Sequence, residues 1–452
     1  MTIAANIFKA NDIRGIYNDT LTDDAARSIG RALAAEALDA GATSMALARD
    51  GRLSSQPLTV ALTEGLCAGG VSVVDIGMAP TPVLYFAAQT LCSGSGVMVT
   101  GSHNPPAHNG MKMLIAGRTL KGDGVQELRR RIETGDYGSA PTAEGQNVDV
   151  LENYIAAVCC AVPTARALHL VVDAGNGVAG AYAPMLYKKL GHQVTSLYCD
   201  VDGNFPNHHP DPAQPENLIA ARKKLNETDA DIAIVFDGDG DRLGVLLPGR
   251  EDWVFPDRLL MLLAQDMLSR HHGGRVVFDV KCSANLAPWI EQHGGIADMQ
   301  PTGHAFIKSR MRETGALLGG EMSGHFYFAE QWFGFDDALL AGARLVAIIG
   351  NNPHVMRDIP SSAASPEIVV SIGARDGHAF VRDLRNKVHF PDMKKIVDID
   401  GLRVEYADGF GLVRASNTTA SLVLRFEGNN DEALQRITND FKKFLAAEGI
   451  VF

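Results

Sequence analysis

Residues 169–175 read HLVVDAG, and this stretch decides the fold. It is a short apolar strand that ends in Asp173 and a glycine turn; an amphipathic helix over 182–190, Gly191 and a second strand over 194–199 follow. A strand, a crossover helix and a parallel strand form the basic unit of α/β sheets. The sequence therefore predicts an α/β fold around this stretch.

The same unit occurs twice more. Residues 45–51 lead through Asp50 to a helix ending near Gly70, and residues 276–281 lead through Asp279 to a helix over 284–292. A chain of 452 residues is also longer than one core can organise. Together these features predict tandem α/β domains of similar plan.

The chain changes character after Pro366. Residues 401–406 and 420–426 alternate like antiparallel strands, and residues 431–448 have the pattern of a closing helix. This favours three tandem α/β domains and a C-terminal α+β domain. We place these four domains at residues 1–150, 151–252, 253–364 and 365–452.

Composition excludes several classes of protein. Hydrophobic residues make up 46% and charged residues 21%, which is enough apolar mass for globular cores. A net charge of -12 would repel a nucleic-acid backbone, so no nucleic-acid partner is expected. The sequence contains neither a signal peptide pattern nor an apolar run of about 20 residues, so we expect a cytoplasmic protein with no membrane partner. Six scattered cysteines without a C-x-x-C pair indicate reduced core thiols.

A serine follows a predicted strand at residues 96–99. The loop over 100–106 has the sequence TGSHNPP, which presents Ser102 at a strand end, where α/β sheets usually place their chemistry. A serine nucleophile needs a base or a metal, or a phosphoryl group that moves to and from its oxygen. The alternative is a Ser-Asn-Pro turn with a capping hydroxyl.

Three aspartates follow the buried-strand pattern at residues 231–236. Asp237, Asp239 and Asp241 alternate with glycines, which allow the loop to fold around a point, and carboxylate oxygens suit Mg²⁺. An EF-hand is excluded because loop position 6 would be Arg242 instead of Gly, and position 12 would be a proline. An ordinary acidic turn is the alternative, but three unpaired aspartates would repel one another unless a cation joined them.

A third motif is Gly320-Glu321-Met322-Ser323-Gly324-His325. In an extended segment Glu321, Ser323 and His325 project to one side, a face that suits sugar hydroxyls. The alternative is a polar strand end.

The loop predicted between the last alternating strands contains Arg414, Ser416, Asn417 and Thr418. Its guanidinium, hydroxyls, amide and backbone N–H groups suit phosphate capture. A Ser-Asn-Thr turn with a solvated arginine is the alternative.

Residues 175–180 match G-x-G-x-x-G after a strand, with Asp200 further on. Asp173 ends that strand where a pyrophosphate would approach, so we favour packing glycines at a strand-to-helix turn over a dinucleotide site.

Taken in order, the serine, aspartate, Glu321 and Arg414 loops resemble those of the α-D-phosphohexomutase superfamily. The resemblance covers nearly the whole chain, since FKANDIRG at 8–15, NHHP at 207–210 and PTGH at 301–304 also match. Within the superfamily, the serine and Glu321 loops are most similar to the bacterial phosphomannomutase/phosphoglucomutase branch. The sequence departs from that branch at Asn11, where a tyrosine is usual, so we carry over no substrate contact there.

This resemblance implies an isomerase that interconverts hexose 6-phosphate and hexose 1-phosphate of mannose or glucose. Ser102 would carry the phosphoryl group, and a hexose 1,6-bisphosphate would be both the intermediate and an activator. The cofactor would be Mg²⁺, and the four domains would surround a central cleft that binds a small phosphosugar. Oligomeric state is not predicted.

The resemblance also implies a role for individual residues. The metal ligands would be Ser102, Asp237, Asp239 and Asp241. His103, Lys112, Arg14 and Arg242 would surround the moving group, with Arg14, Lys112 and His304 as general acid and base candidates. Substrate would be bound by Lys281, Glu321, Ser323, His325, Arg414, Ser416, Asn417 and Thr418.

Three alternatives stay open. Glucosamine phosphate could be the substrate of the same reaction. A Mg²⁺-dependent sugar phosphohydrolase would explain the serine and the aspartates but leave the Glu321 and Arg414 loops without a role. A sugar-phosphate-binding protein without activity would not depend on Ser102.

Overall fold

The structure is a computed structural model and describes residues 3–163, 165–250, 253–416 and 420–452. The chain divides into two compact units, one of residues 1–259 and 323–353 and one of residues 260–322 and 354–452. Within the described ranges, none of the helices has the length and hydropathy that a bilayer crossing requires.

The first unit opens with a seven-stranded sheet of order β1-β5-β4-β2-β3-β7, with β6 paired to β5. Its elements are β1 (Ile13–Ile16), α1 (Asp23–Asp39), β2 (Ser44–Arg49), α2 (Ser55–Ala68), β3 (Ser72–Met78), α3 (Thr81–Leu91), β4 (Gly96–Val99), β5 (His108–Ile115), β6 (Arg118–Thr119), α4 (Asp123–Thr134) and β7 (Gly145–Asn147). Strands β2 and β4 are parallel, so Asp50 and Thr100, which follow them, lie at the same sheet edge. Alanine- and leucine-rich faces of α1 and α2 pack in this core.

The second sheet, of order β11-β10-β8-β9, carries the aspartate motif. Its elements are α5 (Leu151–Ala161), β8 (His169–Asp173), α6 (Ala183–Lys189), β9 (Gln193–Leu197), α7 (Ile219–Glu227), β10 (Ile232–Phe236) and β11 (Leu243–Leu246). Strands β10 and β11 form an antiparallel hairpin, and the three aspartates lie in its connection. Within the glycine motif, a Cβ on Gly180 would lie 2.2 Å from the Cys199 carbonyl oxygen, which fits the packing role.

A third set of elements follows: α8 (Pro256–Arg270), β12 (Arg275–Asp279), α9 (Leu286–Gln292), β13 (Ile296–Gln300), α10 (His304–Thr314), β14 (Leu318–Gly320), β15 (Phe326–Phe328) and α11 (Ala338–Asn351). Strand β12 pairs in parallel with β13 and β14 in the second unit. Strand β15 and helix α11 belong to the first unit.

The C-terminal sheet is antiparallel. Its region contains β16 (Ala363–Ala364), β17 (Ile368–Ser371), α12 (Gly377–Lys387), β18 (Lys395–Val397), β19 (Leu402–Tyr406), β20 (Gly409–Ala415), β21 (Ser421–Gly428) and α13 (Asp431–Ala447). Strand β20 lies between β19 and β21 and was not predicted. Arg414 is therefore on a strand, and the prediction that it sits in a loop was wrong.

The fold class is confirmed: all three repeated units contain a parallel strand pair, and the C-terminal region is α+β. The six cysteines all lie in the described part of the chain and form no disulfide bond. Cys92 and Cys282 are buried, but Cys160 is exposed, so the prediction that every thiol lies in a core was wrong.

Candidate active site

Ser102 and the aspartate motif meet in the first unit. The Ser102 hydroxyl donates a hydrogen bond to Asp237 Oδ2 at 3.1 Å, and both side chains are buried. The two loops approach closely, because a Cβ on Gly238 would lie 2.5 Å from the Ser102 carbonyl oxygen. Ser102 itself has a left-handed backbone with φ of 49°, a conformation that costs energy in a non-glycine residue and that its surroundings must hold.

The three aspartates form one buried carboxylate cluster. Asp237, Asp239 and Asp241 each place an oxygen within 4.8 Å of the others. Asp237 Oδ1 accepts the backbone N–H groups of Asp241 and Arg242, which closes the hairpin connection around it. Burial, and then repulsion by Asp241 and Asp239, raises the pKa of Asp237 well above its usual range. The cluster therefore attracts a cation.

These residues fit a divalent metal ion. Asp239 Oδ1 is buried and has no hydrogen-bond partner among the residues that the structure describes. Oxygen donors of this kind are what Mg²⁺ prefers. Asp241, His325 and Asp336 also converge, but two of these three already contact each other, since His325 Nε2 lies 3.3 Å from Asp241 Oδ1.

Lys112 brings a positive charge from the protein itself to the cluster. Its ammonium on β5 donates to Asp239 Oδ2 at 2.7 Å and to Asp241 Oδ2. Burial alone would lower the pKa of Lys112, but attraction by Asp239, Asp241 and Asp237 outweighs it and raises that pKa. Lys112 therefore carries its proton at neutral pH.

Arg14 lies on the neighbouring strand. It is opposite Gly110 in the β1–β5 register, two residues from Lys112, so the Arg14 and Lys112 side chains occupy the same face of the sheet. Asp12 Oδ2 accepts from Arg14 Nε at 2.6 Å. Arg14 thus lies on the Lys112 face of the sheet, and Asp12 fixes its orientation.

His103, next to the serine, is paired with a residue that the sequence analysis missed. His103 Nδ1 lies 3.3 Å from Asp211 Oδ2, and Arg242 Nη1 lies 3.9 Å from Asp211 Oδ1. Repulsion by Arg242, followed by burial, lowers the pKa of His103 to about 4. At neutral pH the imidazole is therefore uncharged. The only available signal for Asp211 was its position directly after the matched NHHP motif.

The Glu321 motif is a turn rather than an extended segment, so the expectation that three side chains alternate onto one face was wrong. Residues 322–324 bend, with Gly324 at φ of 95°. Ser323 and His325 still converge, because the Ser323 hydroxyl and His325 Nδ1 are 2.7 Å apart. Through His325 this part of the motif reaches Asp241.

In the second unit, Lys281 follows β12 and is buried. Its ammonium contacts Glu367 Oε1 at 2.5 Å and lies 4.0 Å from Asp279 Oδ2. Burial alone would lower the pKa of Lys281, but attraction by Glu367 and Asp279 raises it. Lys281 is therefore a fixed positive charge, and Glu367, which the sequence analysis missed, is its partner.

Glu321, His304 and Arg414 are brought together in the second unit. Glu321 Oε1 accepts the Gly303 N–H at 2.7 Å, directly before α10 begins at His304. Asp400 Oδ2 accepts from Arg414 Nε at 2.9 Å and from the Thr302 N–H at 3.0 Å, so this missed carboxylate joins the two regions.

Arg414 is buried rather than solvated. Its Nη2 has no hydrogen-bond partner within the described ranges, which leaves a donor for an anion. Ser416 closes the β20–β21 connection through a backbone bond to Ser421. Asn417 and Thr418 lie outside the described residues.

Comparison with known proteins identifies the fold as a whole. Four family models of phosphoglucomutase/phosphomannomutase match this chain. They are alpha/beta/alpha domain I at residues 5–139, domain II at residues 150–249, domain III at residues 255–364 and the C-terminal domain at residues 362–444. The chain belongs to this family. A relative named phosphoglucomutase from Neisseria gonorrhoeae is 51% identical over 446 residues, covering 98% of this chain and 97% of the relative. The phosphomannomutase/phosphoglucomutase of Pseudomonas aeruginosa strain PAO1 is 47% identical, covering 99% and 96%.

Solved structures of the phosphoglucomutase/phosphomannomutase family agree. A family protein from Burkholderia thailandensis superposes with a TM-score of 0.93 at 45% identity, with both chains covered completely. A structure described as a phosphomannomutase from Thermus thermophilus gives a TM-score of 0.82 at 23% identity, covering 98% and 100%, and supports the fold alone. The predicted family is confirmed, and with it the prediction of a phosphohexomutase enzyme.

Proposed function

We propose that this family member interconverts the 1- and 6-phosphates of glucose and mannose through phosphorylated Ser102 and a hexose 1,6-bisphosphate. The observation that carries the proposal is the 3.1 Å contact between the Ser102 hydroxyl and Asp237 in a cluster of three buried aspartates. A phosphoryl group on Ser102 would lie beside a site that holds a cation. The relatives' names, phosphoglucomutase and phosphomannomutase/phosphoglucomutase, support both sugars as substrates.

Asp237, Asp239 and Asp241 would hold Mg²⁺, together with a phosphate oxygen on Ser102. Bound there, the ion would offset negative charge on the phosphoryl group during transfer. The side chains of Lys112, Arg14 and Arg242 add positive charge around the same group, and the uncharged His103 adds none.

In the first transfer, the bond between phosphorus and Ser102 Oγ breaks while a sugar hydroxyl oxygen bonds to phosphorus. The hydroxyl proton passes to a general base, and the leaving Ser102 Oγ takes up a proton from a general acid. In the return transfer, Ser102 Oγ gives up that proton and bonds to the other phosphorus of the bisphosphate. The bond between that phosphorus and its sugar oxygen breaks, and this sugar oxygen takes up a proton. Arg14, Lys112 and His304 are the candidates for proton transfer. Lys112 carries its proton at neutral pH, so it suits the acid role better than the base role.

Substrate selection would fall to the remaining candidate side chains. Glu321 and Ser323 would bind the 3- and 4-hydroxyls, which glucose and mannose share. Lys281, His325, Arg414, Ser416, Asn417 and Thr418 would complete the site, with the Arg414 group on the distal phosphate. The Arg414 Nη2 donor supports this assignment. We also propose that the protein is cytoplasmic and that its only partner in the reaction is this small phosphosugar.

Phosphorus NMR tests the proposal. The purified protein is mixed with Mg²⁺, a trace of glucose 1,6-bisphosphate and either mannose 1-phosphate or glucose 1-phosphate. We expect the corresponding 6-phosphate from both sugars, and none from Ser102→Ala. Release of inorganic phosphate as the main product would support the phosphohydrolase instead. Much faster turnover of glucosamine 1-phosphate than of either sugar would assign the enzyme to glucosamine phosphate.

A further inference from the structure

Arg52 lies beneath the serine loop and uses every donor that it has. Its side chain has no exposed surface. Nη2 donates to the carbonyl oxygens of Ser102 and Asn104 at 2.6 and 2.7 Å, and Nη1 donates to those of Pro105 and His108 at 2.6 and 3.0 Å. Nε donates to Asp50 Oδ2 at 3.1 Å. A guanidinium has five N–H donors in a rigid plane, and here all five are engaged.

Asp50 holds both the arginine and the start of the loop. Asp50 Oδ2 also accepts from the Thr100 hydroxyl at 2.8 Å and the Gly101 N–H at 3.1 Å. Asp50 Oδ1 accepts from the Arg52 N–H at 3.0 Å and the Ser55 hydroxyl at 2.5 Å. The buried pair therefore contacts both ends of the segment from residue 100 to residue 108.

The loop is shaped to this guanidinium. Four carbonyl oxygens point to one place, where they would repel one another without a shared cation. A Cβ on Gly101 would lie 2.4 Å from Arg52 Cζ, so the backbone passes directly against the arginine. Ser102, in its left-handed conformation, is one of the residues so held.

We infer that Arg52, supported by Asp50, is a positioning residue that fixes the serine loop so that the Ser102 hydroxyl faces the carboxylate cluster. Arg52 contacts the backbone of the loop and reaches the reaction only through Ser102. The inference rests on the proposed role of Ser102 as the phosphoryl carrier. It explains why a fully buried cation belongs at this position, since only a planar fork reaches four carbonyls at once.

Arg52→Lys is the decisive variant, because it keeps the charge but replaces the fork by a point donor. Its control is Arg344→Lys, which changes another buried arginine of the first unit, bound to the carboxylate and carbonyl oxygen of Glu330. Three experiments are done on each variant. The first measures backbone hydrogen exchange in peptides covering residues 100–108 of the free protein. The second measures mutase kcat and KM, and the third follows the rate of Ser102 phosphorylation by glucose 1,6-bisphosphate by intact mass.

We expect Arg52→Lys to speed hydrogen exchange selectively in residues 100–108. It should also lower kcat and the phosphorylation rate by about 100-fold, because small misplacements of reacting groups have costs of this size. KM should stay within about threefold of wild type. Arg344→Lys should leave the hydrogen exchange of residues 100–108, the kinetic constants and the phosphorylation rate near their wild-type values. Equal losses in the two variants, or wild-type kcat in a folded Arg52→Lys protein, would overturn the inference.

A variant that lacks the side chain gives a second test. Arg52→Ala supplied with millimolar guanidinium should regain part of its activity, whereas urea at the same concentration should not; equal responses to both would count against positioning. If wild-type protein lacks mutase activity, the proposed function fails, and the hydrogen-exchange comparison still decides whether Arg52 orders the loop.

Discussion

At the scale of single residues, Asp239 has one carboxylate oxygen bound by described residues of the protein and one that is not. One of its oxygens accepts from the Thr81 hydroxyl at 2.5 Å and from Lys112, and its other oxygen has no partner within the described ranges. The first oxygen ties Asp239 to the protein. The second is buried and available to a metal ion.

Asp239→Asn should lower kcat at saturating substrate by about 100-fold or more, because a charged oxygen aimed at the metal becomes a neutral amide. Stability should change little, since the amide still accepts from Thr81 and the cluster loses one repelling charge. Steady-state kinetics across a Mg²⁺ titration and urea unfolding measure the two effects. The control is Asp298→Asn, which removes a buried carboxylate paired with Arg275 and Arg310 outside the cluster. Full wild-type turnover of Asp239→Asn, or of wild type in excess chelator, would contradict the metal role.

Which site residues could be predicted depends on where their partners lie. Ser102 and the three aspartates belong to short motifs whose chemistry is local, so the sequence was sufficient to find them. Asp211, Glu367 and Asp400 are each single carboxylates whose meaning comes from a distant partner, His103, Lys281 or Arg414. Such pairs depend on tertiary structure. The sequence offers only one indirect signal for them, the position of Asp211 directly after the NHHP motif.

At the scale of elements, β20 shows why a central strand was missed. It begins Gly409-Phe410-Gly411, and glycines are unfavourable in strands. Packing overrides this preference, because a Cβ on Gly411 would lie 2.2 Å from the Phe441 ring of α13. Both predicted neighbours, β19 and β21, were found because their apolar residues alternate.

Gly411→Ala should destabilise the second unit by about 1–3 kcal/mol, the usual range for overpacking, because Phe441 is fully buried and must move. The measurement is urea unfolding of the whole chain, followed by hydrogen exchange in the peptides of β20 and α13. Gly145→Ala is the matched control, since its nearest neighbour would be 3.6 Å away. Equal destabilisation by the two substitutions would show that strand propensity, and not the contact with Phe441, is responsible.

The aspartates that end the repeated strands have a shared role. Asp50 holds the serine loop, and Asp173 accepts from the Gly175 N–H and contacts His208 Nε2 at 3.2 Å. Asp279 accepts from the Thr302 hydroxyl and the Met322 N–H. The repeat was predicted from strand and helix patterns, but the loops that each aspartate anchors were visible only in the folded chain.

Asp337 caps α11 and gives the protein a pH-dependent stability. It accepts from the Leu340 N–H at 2.9 Å and the Tyr154 hydroxyl at 2.9 Å, and burial raises its pKa from 3.8 to about 7. Between these two values the folded state holds a proton that the unfolded state has released. The free energy of unfolding should therefore fall by about 4 kcal/mol between pH 4 and pH 7 on account of this group.

Asp337→Asn should remove that slope, because the amide keeps the helix cap without a charge. The free energy of unfolding of both proteins is measured in urea from pH 4.5 to pH 8. The variant's value should exceed the wild-type value by an amount that grows with pH and levels off above pH 7. Parallel curves for the two proteins would mean that Asp337 is ionised in the fold at all these pH values.

At the scale of the whole molecule, four family segments fold as two compact units. The boundary between residues 322 and 323 falls inside the predicted sugar motif, so Glu321 belongs to one unit and Ser323 and His325 to the other. Repeated strand patterns in the sequence predict how the chain divides into segments, because each repeat forms its own sheet. They do not predict which segments share a compact unit, since that depends on contacts between residues far apart in sequence.

Because all three cluster aspartates and Ser102 lie in the first unit, Mg²⁺ binding should stabilise that unit selectively. A ligand at 100 times its Kd adds about 2.7 kcal/mol to the state that binds it. Hydrogen exchange with Mg²⁺ and with chelator should therefore differ in peptides covering residues 100–112 and 232–246, and be unchanged in those covering residues 402–415. Asp239→Asn should abolish the difference, whereas Asp298→Asn should retain it. Slowed exchange that survives in Asp239→Asn would place the ion outside the carboxylate cluster.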